Sequence, residues 1–429
     1  MNIKQIWTIL LSILLFLMIW ASGEFINIKI VLCGIVCFCG LFIKNGGGRI
    51  AFSVGVGRWF AIYIGSNIFF MILSILHSNP GAFTYINVDL VEPILFAVII
   101  VLIGKWELDR IGRFLIYISL FLYVYLIIGF LSVNDFIPIS NMPFIITDFG
   151  GLLPFGLMKA DAQFIQWLYF LIPGNICLFF FREEITDRKI IRIIILNFIL
   201  SYVATILILK TALILVSVFT IILSLVLLRY KKNRKLLSSN KLISAVGLLI
   251  LTVVAWNVFN IGDFVYDTVL KKVMISLGND GYVNSYGVSD IGGTVRRRQI
   301  ADLLNTWRLS PILGRGTGAD SLNYTSSTVH GLYEMTYVAK LMQRGIVGMM
   351  IYIGLIGWMF KKMLYYIKHD IMKIESLYLF AGLAGMLLAN GTNPYLESFD
   401  KLIILFLPLV IVNIVSLNGG RYEDITHIK

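Results

Sequence analysis

The chain has 429 residues, 58% of them hydrophobic and 14% charged, with a formal net charge of +12 and a mean hydropathy of +0.86. A water-soluble domain of this length cannot bury that much apolar surface. The composition therefore excludes a soluble enzyme or binding module and indicates an all-α polytopic membrane protein. The basic excess is accounted for by cytoplasmic loops and by phosphate-bearing ligands, not by nucleic acid.

The first apolar run, Ile6–Ala21, ends in Ala21-Ser22-Gly23, a poor match to a cleavage site, so it reads as a span. Further apolar cores follow at Ile28–Ile43, Trp59–Leu76, Leu90–Gly104, Phe114–Val133, Phe164–Phe181, Ile193–Leu209, Thr211–Leu228 and Leu242–Val258. After a long polar stretch come Gly345–Phe360, Leu377–Ala389 and Leu402–Ser416. These runs predict about 12 transmembrane helices. With the N-terminus inside, cytoplasmic segments hold 23 lysines and arginines, and the short outside loops hold only Lys29, Lys159, Lys210 and Lys401. The positive-inside rule then puts both termini in the cytoplasm and the long loop outside. The expected organisation is a bundle over residues 1–259, an outside helical cap over 260–344, and C-terminal helices with a cytoplasmic tail over 345–429. A second outside loop, Asn134–Gln163, carries Asp148 and Asp161, read as solvated acids or as contacts for sugar hydroxyls.

The four cysteines, Cys33, Cys37, Cys39 and Cys177, lie in apolar runs without Cys or His at metal-binding spacing, and read as small buried hydrophobes. The chemistry-bearing residues concentrate between Ile291 and Gly348. Arg296, Arg297 and Arg298 open a short helix predicted from about Thr294 to Leu309, ended by Pro311. Arg296, Ile300, Leu303 and Trp307 share one helix face, while Arg298 faces away and can pair with Asp302 four residues on. An inward Arg296 needs an anion, and a diphosphate suits its fork; a surface cluster meeting anionic headgroups is the alternative. Lys210, in a tight turn between two apolar runs, is either a snorkelling lysine or a second phosphate contact. His330 is the one histidine between the cap and the re-entering helix, a candidate general base or a structural hydrogen-bonding group. Gly314, Gly316 and Gly318 form a turn closing the cap helix; as a phosphate loop the match is weak, and Arg315 within it is a further candidate anion contact. Glu24, Glu92, Glu397 and Asp400 lie near or inside spans, too few and too peripheral to point to a coupled transporter.

Arg296, Ile300, Pro311, Gly314, Gly316, His330 and Gly345-Ile-Val-Gly348 occur in that order, and Lys210-Thr211 stands at a span end upstream. This arrangement resembles the Wzy-type O-antigen polymerase and O-antigen ligase superfamily over roughly Leu200–Ser416, and Asn393-Pro-Tyr-Leu-Glu-Ser398 is similar to polymerases. The resemblance implies a GT-C-like bundle in the bacterial inner membrane with a periplasmic cap and active site. It implies glycosyl transfer between undecaprenyl-diphosphate-linked glycans, with a chain-length regulator as a further partner. Arg296 and Lys210, with Arg315, would stabilise the departing diphosphate, and His330 would orient or deprotonate the acceptor hydroxyl. The cations would take the place of a metal, and no cofactor is expected. A ligase acting on lipid A-core and a lipid-linked oligosaccharide flippase are the alternative readings.

Overall fold

The computed structural model describes residues 3–42, 51–139, 142–146, 153, 156–232, 291–323 and 329–417. Among them the chain forms helices and no β-strand beyond isolated bridges. In order these are α1 Ile3–Trp20, α2 Ile26–Leu41, α3 Val54–Leu76, α4 Glu92–Leu102 (entered by a π-turn, Asn87–Val91), α5 Lys105–Val133, α6 Ile165–Phe180, α7 Arg188–Ile208, α8 Thr211–Lys232, α9 Ile291–Trp307, α10 Thr336–Lys368, α11 Lys373–Asn390 and α12 Phe399–Leu417. Six of them, α3, α5, α7, α8, α10 and α12, are long and apolar enough to cross a membrane, and α1, α2, α6 and α11 are shorter apolar helices. Each expected apolar run overlaps one of these helices, with ends that differ by a few residues, except Leu242–Val258, which lies outside the described residues together with Asp148 and the first part of the expected cap.

Two helices form the centre. Every residue of α12 from Phe399 to Val415 is buried, and α6 is buried along nearly its whole length. The surrounding helices turn large apolar side chains outward, among them Ile13, Phe38, Ile62, Ile199, Ile222 and Ile353. Apolar inside and apolar outside is the pattern of a helical membrane protein, where hydrocarbon replaces water as the outer solvent. Close approach then depends on small residues. Gly382 and Gly385 of α11 let that helix lie against α6, where a Cβ on Gly385 would come 2.4 Å from Pro173 Cγ. One interior polar network links three helices: Asn197 Nδ2 donates to Asn175 Oδ1 at 3.2 Å and to the Ile116 carbonyl at 2.8 Å, tying α5, α6 and α7 together. The cysteines are free, and all but Cys39 are buried.

The two ends of the bundle differ. At one end Lys231 of α8 meets Glu184 at 2.5 Å and also Asp370, joining three helix ends. The cap lies at the other end. The α9 stripe is rotated from the expected one: Leu303 is buried, but Gln299, Asp302 and Thr306 are buried as well. The polar inward residues hold the following loop. Asp302 accepts from Ser321 Oγ at 2.6 Å, Asn323 N at 3.1 Å and Asn323 Nδ2 at 2.8 Å, and Thr306 Oγ1 accepts from Leu322 N at 3.0 Å. Asp302 thus serves the loop, not the expected pairing with Arg298. Arg298 is exposed and Arg296 half-buried, as the periodicity requires.

The cap is fastened to the bundle through a break in α10. Gly345 has φ 61° and ψ −170°, so Thr336–Arg344 and the apolar remainder are two helices end to end. A break leaves carbonyls unpaired on one side and amides on the other. The turn after Pro311 satisfies both: Arg315 N and Gly316 N donate to the carbonyls of Met342 and Gln343, while Ile346 N and Val347 N donate to those of Pro311 and Ile312. Gly314, Gly316 and Gly318 all have positive φ, and a Cβ on them would collide with Gln343, Ser74 and Gly81 respectively. We expect Gly345→Ala, which adds a Cβ 2.3 Å from the Ile312 carbonyl oxygen at a left-handed φ, to cost on the order of 3 kcal/mol. It should lower the unfolding temperature in detergent, while Gly354→Ala, whose Cβ meets nothing within 4 Å, should leave it unchanged.

Candidate functional site

Just before the break, Arg344 points into the bundle. Its Nη2 donates to both oxygens of Asp89 at 2.9 Å and its Nη1 to Asn67 Oδ1 at 2.6 Å, while Asn67 Nδ2 donates to the Asp89 carbonyl at 2.8 Å. The triad joins α3, the π-turn and α10, and all three residues are buried. Removing one partner of a buried pair strands the other charge. The exposed end of the cap is built on this base.

There His330 meets a carboxylate. Its Nδ1 lies 2.6 Å from Asp320 Oδ2, and the other oxygen, Oδ1, accepts from Gly331 N at 2.7 Å. Asp320 is nearly enclosed, whereas the imidazole is 54% exposed, so Nε2 faces outward while Nδ1 is held. Burial raises the Tyr333 phenol above its ordinary value, so it stays protonated. Its oxygen accepts from Ser321 N at 2.8 Å and donates weakly toward Asp320 Oδ1 at 3.5 Å. Gln343 Nε2 donates to the Gly331 carbonyl at 2.7 Å, tying the dyad to α10.

The same loop reaches Arg296. Its Nε donates to Glu334 Oε2 at 2.7 Å, four residues beyond His330, and both side chains are part-exposed, at 35% and 42%. The anion that an inward Arg296 requires is, in the resting protein, this carboxylate. Lys210 is likewise paired, with Asp161 at 3.1 Å. The two pairs flank one aromatic stack. Tyr169 and Tyr395 lie 5.0 Å apart at 28°; Tyr169 lies within electrostatic reach of Asp161 and Arg296, and Tyr395 of Arg296 and Glu334. Arg296, Lys210 and His330 therefore share the cap end of the bundle.

Arg315 stands apart. Its carbonyl accepts from His77 Nδ1 at 2.9 Å and Asn79 Nδ2 at 2.6 Å, and its amide is spent on Met342. Among the described residues no contact joins its guanidinium to Arg296 or His330. Nor can the glycine turn cradle a phosphate through these amides, because those of Gly314, Arg315, Gly316, Thr317 and Ala319 already donate to protein carbonyls. Asp320, Glu334 and Asp89 were not legible as site residues in the sequence. Asp320 closes the Gly-rich turn ten residues before His330, and only the fold makes them neighbours. Among the described residues no group of three or more His, Cys, Asp or Glu side chains is placed to hold a metal ion.

No family model, curated protein or solved structure matches this chain. For the buried triad, Asp89→Leu is expected to destabilise the protein by about 3–5 kcal/mol, and Asp89→Leu with Arg344→Met to recover most of that loss. Thermal unfolding of the purified variants in detergent measures both.

Proposed function

We propose that this chain is a membrane glycosyltransferase that extends a surface polysaccharide, an O-antigen polymerase of the Wzy type. On this reading it lies in the bacterial inner membrane with about 12 spans and cytoplasmic termini, and its cap faces the periplasm. The observation that carries the proposal is His330, part-exposed and oriented by a nearly enclosed Asp320, on the loop whose Glu334 pairs with Arg296 of α9. A held Nδ1 and an open Nε2 make the imidazole a positioned general base.

The reaction follows from these parts. The acceptor hydroxyl gives its proton to His330 Nε2, and its oxygen forms a bond to the anomeric carbon. The bond from that carbon to the diphosphate breaks, and the electron pair leaves with the diphosphate. Arg296 and Lys210 receive the developing charge. Their present partners, Glu334 and Asp161, hold them in part-exposed pairs, which are worth only about 0–1 kcal/mol each. A doubly charged diphosphate displaces them at little cost. A single displacement of this kind inverts the anomeric configuration.

Glu92 supports a second reading, a lipid-linked oligosaccharide transporter. It is buried in the bundle, and its Oε2 has no hydrogen-bond partner among the described residues, a feature of proton-coupled carriers. The ligase differs from the polymerase only in its acceptor. One experiment separates all three: a deletion strain complemented with variants, reading the polysaccharide ladder. The polymerase predicts single repeat units on the core in the deletion strain, the ligase bare core with glycan stranded outside, and the transporter carrier-linked units stranded inside. His330→Ala should reduce long chains on the order of 100-fold, Asp320→Asn by less, and Arg296→Ala should abolish them, while Arg298→Ala stays near wild type. Normal ladders from all four would overturn the site.

A further inference from the structure

Beside the dyad lies a narrow crevice lined by Tyr85, Tyr333, Thr336, Lys340, Pro394 and Glu397, with Gly331 at its edge, next in sequence to His330. Three chain segments distant in sequence build it. Its floor is an ion pair, Lys340 with Glu397, whose side chains are only 14% and 11% exposed. The hydroxyl of Tyr85 is buried, the residue is 7% exposed, and that oxygen has no hydrogen-bond partner among the described residues. A buried hydroxyl without a hydrogen bond is costly, and a guest oxygen in the crevice would satisfy it. The free space is about 10 Å³, room for one water-sized group and no more. A sugar ring does not fit; one of its hydroxyls does.

We propose, building on the polymerase reading, that this crevice is the acceptor-specificity subsite and takes a single hydroxyl of the acceptor sugar. Tyr85, Lys340 and Glu397 provide a hydroxyl, an ammonium and a carboxylate, so the guest oxygen can both donate and accept. The ring itself stays outside, over Gly331, and presents a second hydroxyl to His330. The space is that of a water, and a substrate hydroxyl entering it can make the hydrogen bonds a water would make there. A site built to hydrogen-bond a substrate hydroxyl discriminates sharply against sugars that lack it. The crevice would therefore select which position on the acceptor ring is extended.

Tyr85→Phe tests this, because it removes one oxygen and nothing else. Where the hydroxyl serves only the fold, its loss from a site without a protein partner is neutral or slightly stabilising. Where it serves the substrate, long-chain polysaccharide falls roughly tenfold, the worth of one hydrogen bond. The expected result in the complemented deletion strain is that loss, with wild-type protein level and an unchanged or higher unfolding temperature. Glu397→Gln, which keeps the shape, should also shorten the ladder. A Tyr85→Phe ladder equal to wild type overturns the subsite. So does a ladder loss that merely tracks a lowered unfolding temperature, which would mark a structural water only. The wild-type arm is read first: if it restores no ladder, the polymerase reading falls and this inference with it, whereas a wild-type ladder with an indifferent Tyr85→Phe sinks the crevice alone.

Discussion

The rest of the cap depends on a gap in one helix. Continuous hydrogen bonding along α10 would leave the 311–318 turn no backbone partner on that helix, and only the Thr317 amide, bonded to the Phe70 carbonyl of α3, would join turn and bundle through main-chain atoms alone. Gly345 interrupts the ladder, and the turn inserts its own backbone into the opening. Two helix ends are capped at once, with no unpaired group left at the four positions involved. The cost of the left-handed backbone falls on glycine, where it is least. Arg344 sits directly beneath this joint, and its pairing with Asp89 and Asn67 fixes α10 against α3 and the π-turn. Backbone closure above and a buried ion pair below hold one point of the molecule from both sides.

Charge at the cap end falls into two kinds. Arg344–Asp89 and Lys29–Asp400 are enclosed and multiply hydrogen-bonded; Lys29 Nζ also donates to the Ala21 carbonyl at 2.7 Å. Buried pairs of this sort give architecture more than net stability, because desolvation offsets most of their attraction. Arg296–Glu334 and Lys210–Asp161 are part-exposed and held by single contacts. Weak pairs are readily exchanged for a stronger anion. The division between fixed and exchangeable cations follows from solvent exposure alone, and on the proposed reading it separates the frame from the machinery.

Much of this was legible in the sequence for physical reasons. Apolar runs must become helices in hydrocarbon, where every backbone group needs an internal partner, so the helix positions could be read directly. The 4-3-4 spacing put Arg296 inward and Arg298 outward, and their burial agrees. The turn reading of Gly314, Gly316 and Gly318 also fits the structure. Partnerships across the chain were not readable. Asp89 and Arg344 are 255 residues apart, and nothing local in either segment announces the other. The rotation of the α9 face had the same source. Asp302 and Thr306 look like surface residues until a loop arrives that needs their oxygens. Tyr85 carried no signal at all, since an unpaired hydroxyl is a property of packing.

The joint at Gly345 also governs how this sequence can drift. Its bonds come from main-chain atoms, so they place no demand on its exposed side chains. Ile312 lends only its carbonyl and remains 64% exposed; any residue with a carbonyl serves there. The tightest backbone constraint falls on a few glycines, where a Cβ would meet a neighbour's backbone at 2.2 to 2.4 Å. A lineage could therefore rewrite exposed letters of this segment such as Ile312 and Leu313 and keep the joint intact, while the glycines and the buried Gln343 and Arg344 stay fixed.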